Sequence, residues 1–161
     1  MHIREAVEED LESLWGIFRA VQAGGDALPF SAQLDRDAFQ CQWFSDGLLT
    51  CVAEEDVHQL GIYKLGANFP GLEQHVASAS YLVRPEVRDR GVGRALVQHS
   101  VARAQDADYL EMQFNYVPSS NRAAVTLYEE LGFEIIETLP MACRDPQRGL
   151  VDAYVMHRFL Q

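Results

Sequence analysis

The sequence predicts an α/β protein: a single domain over residues 1–161, with a mixed central sheet flanked by helices. Three observations lead there. A strand-like stretch (76–83), a helix from about residue 91 and a second strand (109–117) form a strand–helix–strand unit, which implies parallel strands joined by a right-handed crossover. Leu48–Glu54 and Gln59–Leu65 read as strands flanking the acidic turn Glu54-Glu55-Asp56, an antiparallel hairpin, so the sheet is mixed. The 161 residues are 48% hydrophobic and 23% charged, which suits one globular domain with a sizeable core.

The elements follow in order. Glu8 to Ala23 reads as a helix because Leu11, Leu14, Trp15, Phe18 and Val21 recur at spacings of three and four. Gly24-Gly25-Asp26 ends it. A loop containing Pro29 leads to a short helix around Asp35–Trp43, and then to the hairpin. Asn68-Phe69-Pro70-Gly71 is a turn. His75–Val83 is a strand of small and apolar residues closed by Pro85. Gly91 to Gln105 is helical, with Val97, Val101 and Ala104 on one stripe and Leu96 beside it. Asp108–Val117 alternates Leu110, Met112, Phe114 and Tyr116 with Glu111, Gln113 and Asn115, a half-buried strand. Pro118-Ser119-Ser120 starts the next helix, and Gly132 stops it. Phe133–Glu137 and Leu150–Phe159 are the last strands.

Composition excludes several classes. The net charge is −11, which argues against general nucleic-acid binding. No stretch approaches the roughly 20 apolar residues of a membrane span. Met1-His2-Ile3-Arg4-Glu5 turns acidic at once, unlike a signal peptide, so a cytoplasmic protein is expected. Cys41, Cys51 and Cys143 are odd in number and far apart, with no CxxC pair, so neither a disulfide framework nor a metal site is expected. Charge is uneven along the chain. Residues 1–75 hold 13 acids and 4 bases, whereas residues 76–161 hold 11 acids and 9 bases. Every base in the second half is arginine, and Lys64 is the chain's only lysine. Arginine's planar fork suits phosphate oxygens, so an anion site in the second half is plausible.

The stretch VRPEVRDRGVGRALVQH (83–99) crowds Arg84, Arg88, Arg90 and Arg94 around Gly91-Val92-Gly93. It lies where a strand ends and a helix begins, the place where open α/β sheets bind ligands. The first N–H groups of such a helix lack partners and carry partial positive charge. Two glycines let an anion approach the backbone closely. The combination fits a pyrophosphate. A dinucleotide fold would want GxGxxG or GxGxxA at the chain's first strand, but Leu96 takes the third position and this unit is central. A Walker A loop would need Gly-Lys-Ser/Thr, which does not follow.

What remains, Arg88-x-x-Gly91-x-Gly93, resembles the acyl-CoA signature (Gln/Arg-x-x-Gly-x-Gly/Ala) of the GNAT superfamily of N-acetyltransferases. NRAAVTLYEELGF (121–133) resembles that superfamily's second signature through Asn121, Ala124, Leu127, Tyr128, Leu131, Gly132 and Phe133. The two stretches occur in the right order on the right elements. The resemblance covers roughly residues 1–160, with its specific part at 75–137. It implies the GNAT acyl-CoA N-acyltransferase fold, in which the two parallel central strands splay apart, and acetyl-CoA as co-substrate with no metal. Leu82 and Val83 would contact the pantetheine arm through their backbone, and the N–H groups from Arg88 through Arg90, Gly91, Val92 and Gly93 to Arg94 would meet the diphosphate. Asn121 would hold the arm from the second helix. Transfer would be direct: a neutral amine attacks the thioester, a backbone N–H near Val83 holds the oxyanion, and Tyr128 protonates the leaving CoA sulfur. The acceptor's proton would leave through ordered water or a nearby side chain, with His75 and Glu73 at the start of the central strand as the candidates facing the cleft.

ANFPGLEQHVASASYLV and the later MQFN resemble a narrower branch that includes proline-analogue (azetidine-2-carboxylate) N-acetyltransferases. That likeness implies that Asn68 and Asn115 hold a small amino acid. The expected partner is therefore a small-molecule amine, with neither nucleic acid nor membrane involved and a homodimer left open. A protein or peptide N-acetyltransferase, attracting basic peptides to the acidic amino-terminal half, and a non-catalytic acyl-CoA-binding module are the alternatives.

Overall fold

The computed structural model describes residues 1–24, 34–69, 71 and 74–161. The loop with Pro29, the Gly25-Asp26 stop and Glu73 lie outside the described residues. The chain runs β1 (His2–Glu5), a 3-10 turn (Glu8–Asp10), α1 (Leu11–Ala23), α2 (Arg36–Trp43), β2 (Leu49–Glu55), β3 (His58–Ala67), β4 (Val76–Val83), a 3-10 turn (Pro85–Val87), α3 (Val92–Asp106), β5 (Glu111–Pro118), α4 (Arg122–Glu130), β6 (Glu134–Asp145) and β7 (Gly149–Phe159). The seven-stranded sheet has the order β1-β2-β3-β4-β5-β7-β6. Every pairing is antiparallel except β4 with β5. This is the mixed sheet with helices on both faces that the sequence implies.

Local chemistry sets the boundaries. Asp35 caps α2, its carboxylate accepting from Ala38 N at 2.8 Å. Gly132 takes φ +84° after α4, the left-handed conformation that closes a helix at little cost to glycine. The β2–β3 hairpin turns at Asp56 and Val57, both at positive φ, one residue beyond the expected acidic turn. The structure adds β1, which has no periodicity of its own. Arg4 holds it down: its guanidinium grips Asp10 at 2.7 and 2.9 Å and Glu54 at 2.9 and 3.1 Å.

The two sheet faces bury different helices. Val52, Ile62 and Leu82 form one cross-strand row, covered by Leu14, Ile17 and Phe18 of α1 and Phe39 and Trp43 of α2. The opposite face carries Tyr63, Ala77, Met112, Phe114 and Met156 against Val92, Leu96, Val97, Val101 and Ala104 of α3 and Val125 of α4. Each large apolar side chain buried there contributes about 1.5–3 kcal/mol. Gly61 sets how closely α3 approaches: a Cβ there would lie 2.8 Å from the Leu82 carbonyl oxygen and 3.1 Å from Leu96 Cδ1. No helix among the described residues is long and apolar enough to cross a membrane. Cys51 is buried, Cys143 half-buried and Cys41 exposed, all with free thiols.

Candidate active site

The central parallel strands pair at only two positions, Val76 with Glu111 and Ala77 with Met112. Beyond them β4 runs on to Val83 and β5 to Pro118 without further pairing, so the strands part. A bulge in β5 accompanies the parting. Phe114 pairs with Met156 and Val117 with Tyr154, which leaves one extra residue on β5. Tyr116 absorbs it at φ +59° and turns outward, 53% exposed, while Val117 takes the buried place. The alternation expected through Tyr116 fails for this reason: a bulge inserts one residue and bends its strand.

The open end of β4 leads into the arginine-glycine loop. Gly91 sits at φ +80° before α3, and no side chain caps that helix. Its leading N–H groups therefore point outward without an intrahelical acceptor. A Cβ on Gly91 would meet nothing within 4 Å. A Cβ on Gly93 would lie 3.7 Å from Leu127 Cδ2 and 3.9 Å from Val83 Cγ2, in the seam between β4 and α4. Val92 is buried and anchors the helix start. The arginines do not all converge. Arg84 donates to the Gln59 carbonyl at 2.6 Å, Arg90 pairs with Glu55 at 2.8 Å, and Arg94 pairs with Glu130. Arg90 and Arg94 remain about half exposed, and Arg88 is exposed. Leu82 directs its side chain into the α1–α2 core and Val83 directs its own toward α3, which leaves their backbone to the gap. An uncapped helix start, the bare backbone of Gly91 and Gly93 and a strand edge with no partner on its β5 side fit a diphosphate with an extended arm.

Tyr128 of α4 reaches into this gap region. Its ring lies 4.5 Å from Phe114, 6.0 Å from Phe133 and 6.2 Å from Tyr81, centroid to centroid. Burial pushes its phenol well above the usual tyrosine value, so it stays protonated. Tyr81, which nothing in the sequence marked, is half-buried in the same aromatic cluster and shares a hydrogen bond of 2.7 Å with Ser100. Asn121 caps α4, its Oδ1 accepting from Ala124 N at 3.2 Å.

Behind the gap, on the face carrying α1 and α2, lies a row of amides. Gln113 Nε2 donates to Asn115 Oδ1 at 2.8 Å, and Asn115 Nδ2 donates to Asn68 Oδ1 at 2.6 Å. The structure thus brings Asn68 and Asn115 into direct contact across 47 residues of chain. Asn68 Nδ2 is buried with no hydrogen-bond partner among the described residues. His75 stands apart: it is exposed before β4, its carbonyl accepting from Leu110 N at 3.0 Å at the closed end of the strand pair. The same face of β5 and β7 holds Glu111 and His157, hydrogen-bonded at 2.9 Å, a contact without any local sequence signal. Lys64 lies on that face too. Its ammonium donates to the Gln42 carbonyl at the end of α2 and sits 5.1 Å from the centre of the Trp43 ring, and burial lowers its pKa.

The model of the Acetyltransferase (GNAT) family matches residues 9–133. N-acetyltransferase aca1 of Schizosaccharomyces pombe is 31% identical over 97 residues, covering 60% of this chain and 46% of that protein. Protein SPT10 of Saccharomyces cerevisiae is 28% identical over 83 residues, covering 52% of this chain and 13% of that protein, so the chain spans less than half the length of the curated relatives it matches. Among solved structures, a GCN5-related N-acetyltransferase from Kribbella flavida superposes with a TM-score of 0.94 at 34% identity, over 98% of this chain and 96% of that one. A phosphinothricin acetyltransferase from Sinorhizobium meliloti, in complex with acetyl-CoA, shares the fold at 22% identity and a TM-score of 0.87, over 98% and 87% of the two chains. With its signature loop at a splayed strand pair and its match across most of its length, the chain belongs to the Acetyltransferase (GNAT) family.

Proposed function

We propose that this chain transfers an acetyl group from acetyl-CoA directly to the amine of a small molecule, an amino acid or a cyclic relative such as azetidine-2-carboxylate. Acetyl-CoA supplies an activated acetyl thioester. The backbone N–H groups from Arg88 to Arg94 bind its diphosphate, with Gly91 and Gly93 giving access. The Leu82–Val83 stretch, paired with β3 but with no strand on its β5 side, orients its arm, and Asn121 offers Nδ2 from the other wall while Oδ1 stays in the cap. Tyr128, held protonated by burial, donates a proton to the departing sulfur. Asn68 and Asn115 bind the acceptor, and His75 lies at the rim of the closed end.

One observation carries the acceptor reading: the Asn115–Asn68 amide pair, in which the buried Asn68 Nδ2 has no hydrogen-bond partner among the described residues. A buried donor without a partner is costly, and a ligand carboxylate would satisfy it. Acetyl transfer to small amino acids and azetidine-2-carboxylate, compared with transfer to amino-terminal and lysine peptides, tests the reading. Small acceptors should be used, and Asn115→Ala should raise their KM by about 10-fold or more, the cost of a lost charge-assisted hydrogen bond. Transfer to peptides alone, or small-acceptor kinetics untouched by Asn115→Ala, would replace it with the peptide acetyltransferase alternative.

A further inference from the structure

We propose that His157 is the general base of the transfer and that Glu111 is its positioning residue. The inference rests on the acetyl-transfer reading but not on the size of the acceptor. Four observations place the pair. His157 of β7 lies opposite Gln113 in the strand register, and Gln113 is the first β5 residue beyond the last position paired with β4. The His157 backbone therefore stands level with the point where the central strands begin to part, and its imidazole reaches back to Glu111, beside the last paired positions. Cross-strand partners share a face, so His157 shares the face of Gln113, whose side chain continues into the Asn115–Asn68 amides. From His157 to the Asn115 level is about two strand residues, roughly 7 Å.

The second observation is the bond between the two. His157 Nε2 lies 2.9 Å from Glu111 Oε2. A carboxylate accepts here, so the ring carries its proton on Nε2 and leaves Nδ1 as the basic nitrogen. The third is the support on the other side: the Phe159 ring meets the imidazole edge-on, with centroids 4.7 Å apart. Held between a carboxylate and an aromatic ring, the imidazole has a fixed direction. The fourth is access. His157 and Glu111 keep 14% and 27% of their side-chain surfaces open to solvent. Among the described residues, His157 meets Glu111 by hydrogen bond and lies opposite Gln113 of β5 and Glu134 of β6, and the negative charge of the two glutamates favours a cationic amine.

The step balances as follows. The acceptor ammonium gives one proton to His157 Nδ1, directly or through one water. The freed nitrogen lone pair forms the N–C bond to the acetyl carbon, and the C–S bond breaks. The sulfur takes the proton of Tyr128, and the second ammonium proton leaves with solvent as His157 and Tyr128 return to their starting states. The need is real, because an amine with a pKa of about 10 is neutral in only about one molecule in a thousand at pH 7.

The test follows the acceptor that the wild type uses best among small amino acids, azetidine-2-carboxylate and a lysine peptide. His157→Gln should lower kcat by about 100-fold or more while leaving the KM for acetyl-CoA within about twofold. Glu111→Gln should lower kcat by about 10-fold. The His157→Gln deficit should shrink as pH is raised toward 10, where the acceptor is already largely neutral. Added imidazole should restore turnover of His157→Ala in a saturable way. Retained stabilisation of both variants by acetyl-CoA shows that they are folded. A wild-type-like His157→Gln, or a loss that neither pH nor imidazole relieves, overturns the assignment while acetyl transfer stands. A wild type inert toward every acceptor overturns the acetyl-transfer reading and this assignment with it.

Discussion

At Tyr128 one oxygen separates a proton donor from a packed ring. The ring's contacts with Phe114, Tyr81 and Phe133 belong to its carbon skeleton, so phenylalanine keeps them. The hydroxyl has a different effect: burial raises its pKa, and a phenol with a raised pKa holds its proton throughout the neutral range. Tyr128→Phe should therefore lower turnover by about 10-fold to 1000-fold while leaving stabilisation by acetyl-CoA unchanged. Because the folded phenol titrates above the ordinary tyrosine value of about 10, its ionisation should cause no loss of wild-type rate up to that pH. Equal turnover of the two proteins would leave Tyr128 a packing residue. Asn115 shows the same separation at the scale of one residue. As an alternating polar position it reads as a strand residue on a wet face, yet its amide is committed to Asn68 and Gln113.

Among the elements, β1 shows how a short strand without a pattern is held. It pairs with β2, its Glu5 meets Arg103 of α3, and its Arg4 meets Asp10, which is 7% exposed. Asp10 accepts from both Arg4 terminal nitrogens, from Val7 N at 2.8 Å and from Gln59 Nε2 at 2.6 Å, joining β1, β3 and the start of α1. The Arg4 guanidinium, with the Val7 and Gln59 donors, holds the Asp10 carboxyl below its ordinary value. A carboxyl with a depressed folded pKa stabilises the fold above its unfolded value of about 3.9, and that contribution is lost as pH falls through the folded value. Asp10→Asn should thus cost about 1–3 kcal/mol at pH 7. It should also flatten the fall in stability below about pH 4. Urea unfolding midpoints from neutral to acidic pH measure both, and a variant matching the wild type throughout would reduce the cluster to surface decoration.

At the scale of the whole molecule, one seven-stranded sheet is closed between β4 and β5 at Val76–Glu111 and Ala77–Met112, open beyond them, and covered by α1 and α2 on one face and α3 and α4 on the other. Ligands that bind only the folded state raise its stability. At a concentration of about 100 times its Kd, acetyl-CoA should add about 2.7 kcal/mol, a Tm rise of roughly 5–10 °C for a domain of this size. ATP and NAD should give none, since neither carries an arm for the splayed strands. Gly91→Val should abolish most of the acetyl-CoA shift, because a β-branched residue at φ +80° distorts the loop that presents the N–H groups. Arg103→Ala should keep the shift, for Arg103 lies about three turns along α3 and is paired with Glu5 at 2.7 Å. Equal stabilisation by all three nucleotides would sink the CoA assignment.

The sequence by itself determined the helices, the crossover that makes β4 and β5 parallel, the glycine loop at the start of α3 and the signature on α4. These features are local: a helical period, a turn residue or a six-residue motif is complete within one element. Only the tertiary structure decided β1, which forms because β2 and the Arg4 charges hold it. The same holds for the length of β6, which runs through Pro140 to Asp145 although its pattern fades at Glu137. As an edge strand it spares Pro140 the hydrogen bond it lacks. The bulge at Tyr116 likewise comes from register against β7. Register also joined Asn68 to Asn115 and Glu111 to His157, 47 and 46 residues apart. A side chain's neighbours across a sheet depend on strand order and on where the ladder slips by one residue. That information is shared between distant segments, so no single stretch of this sequence displays it.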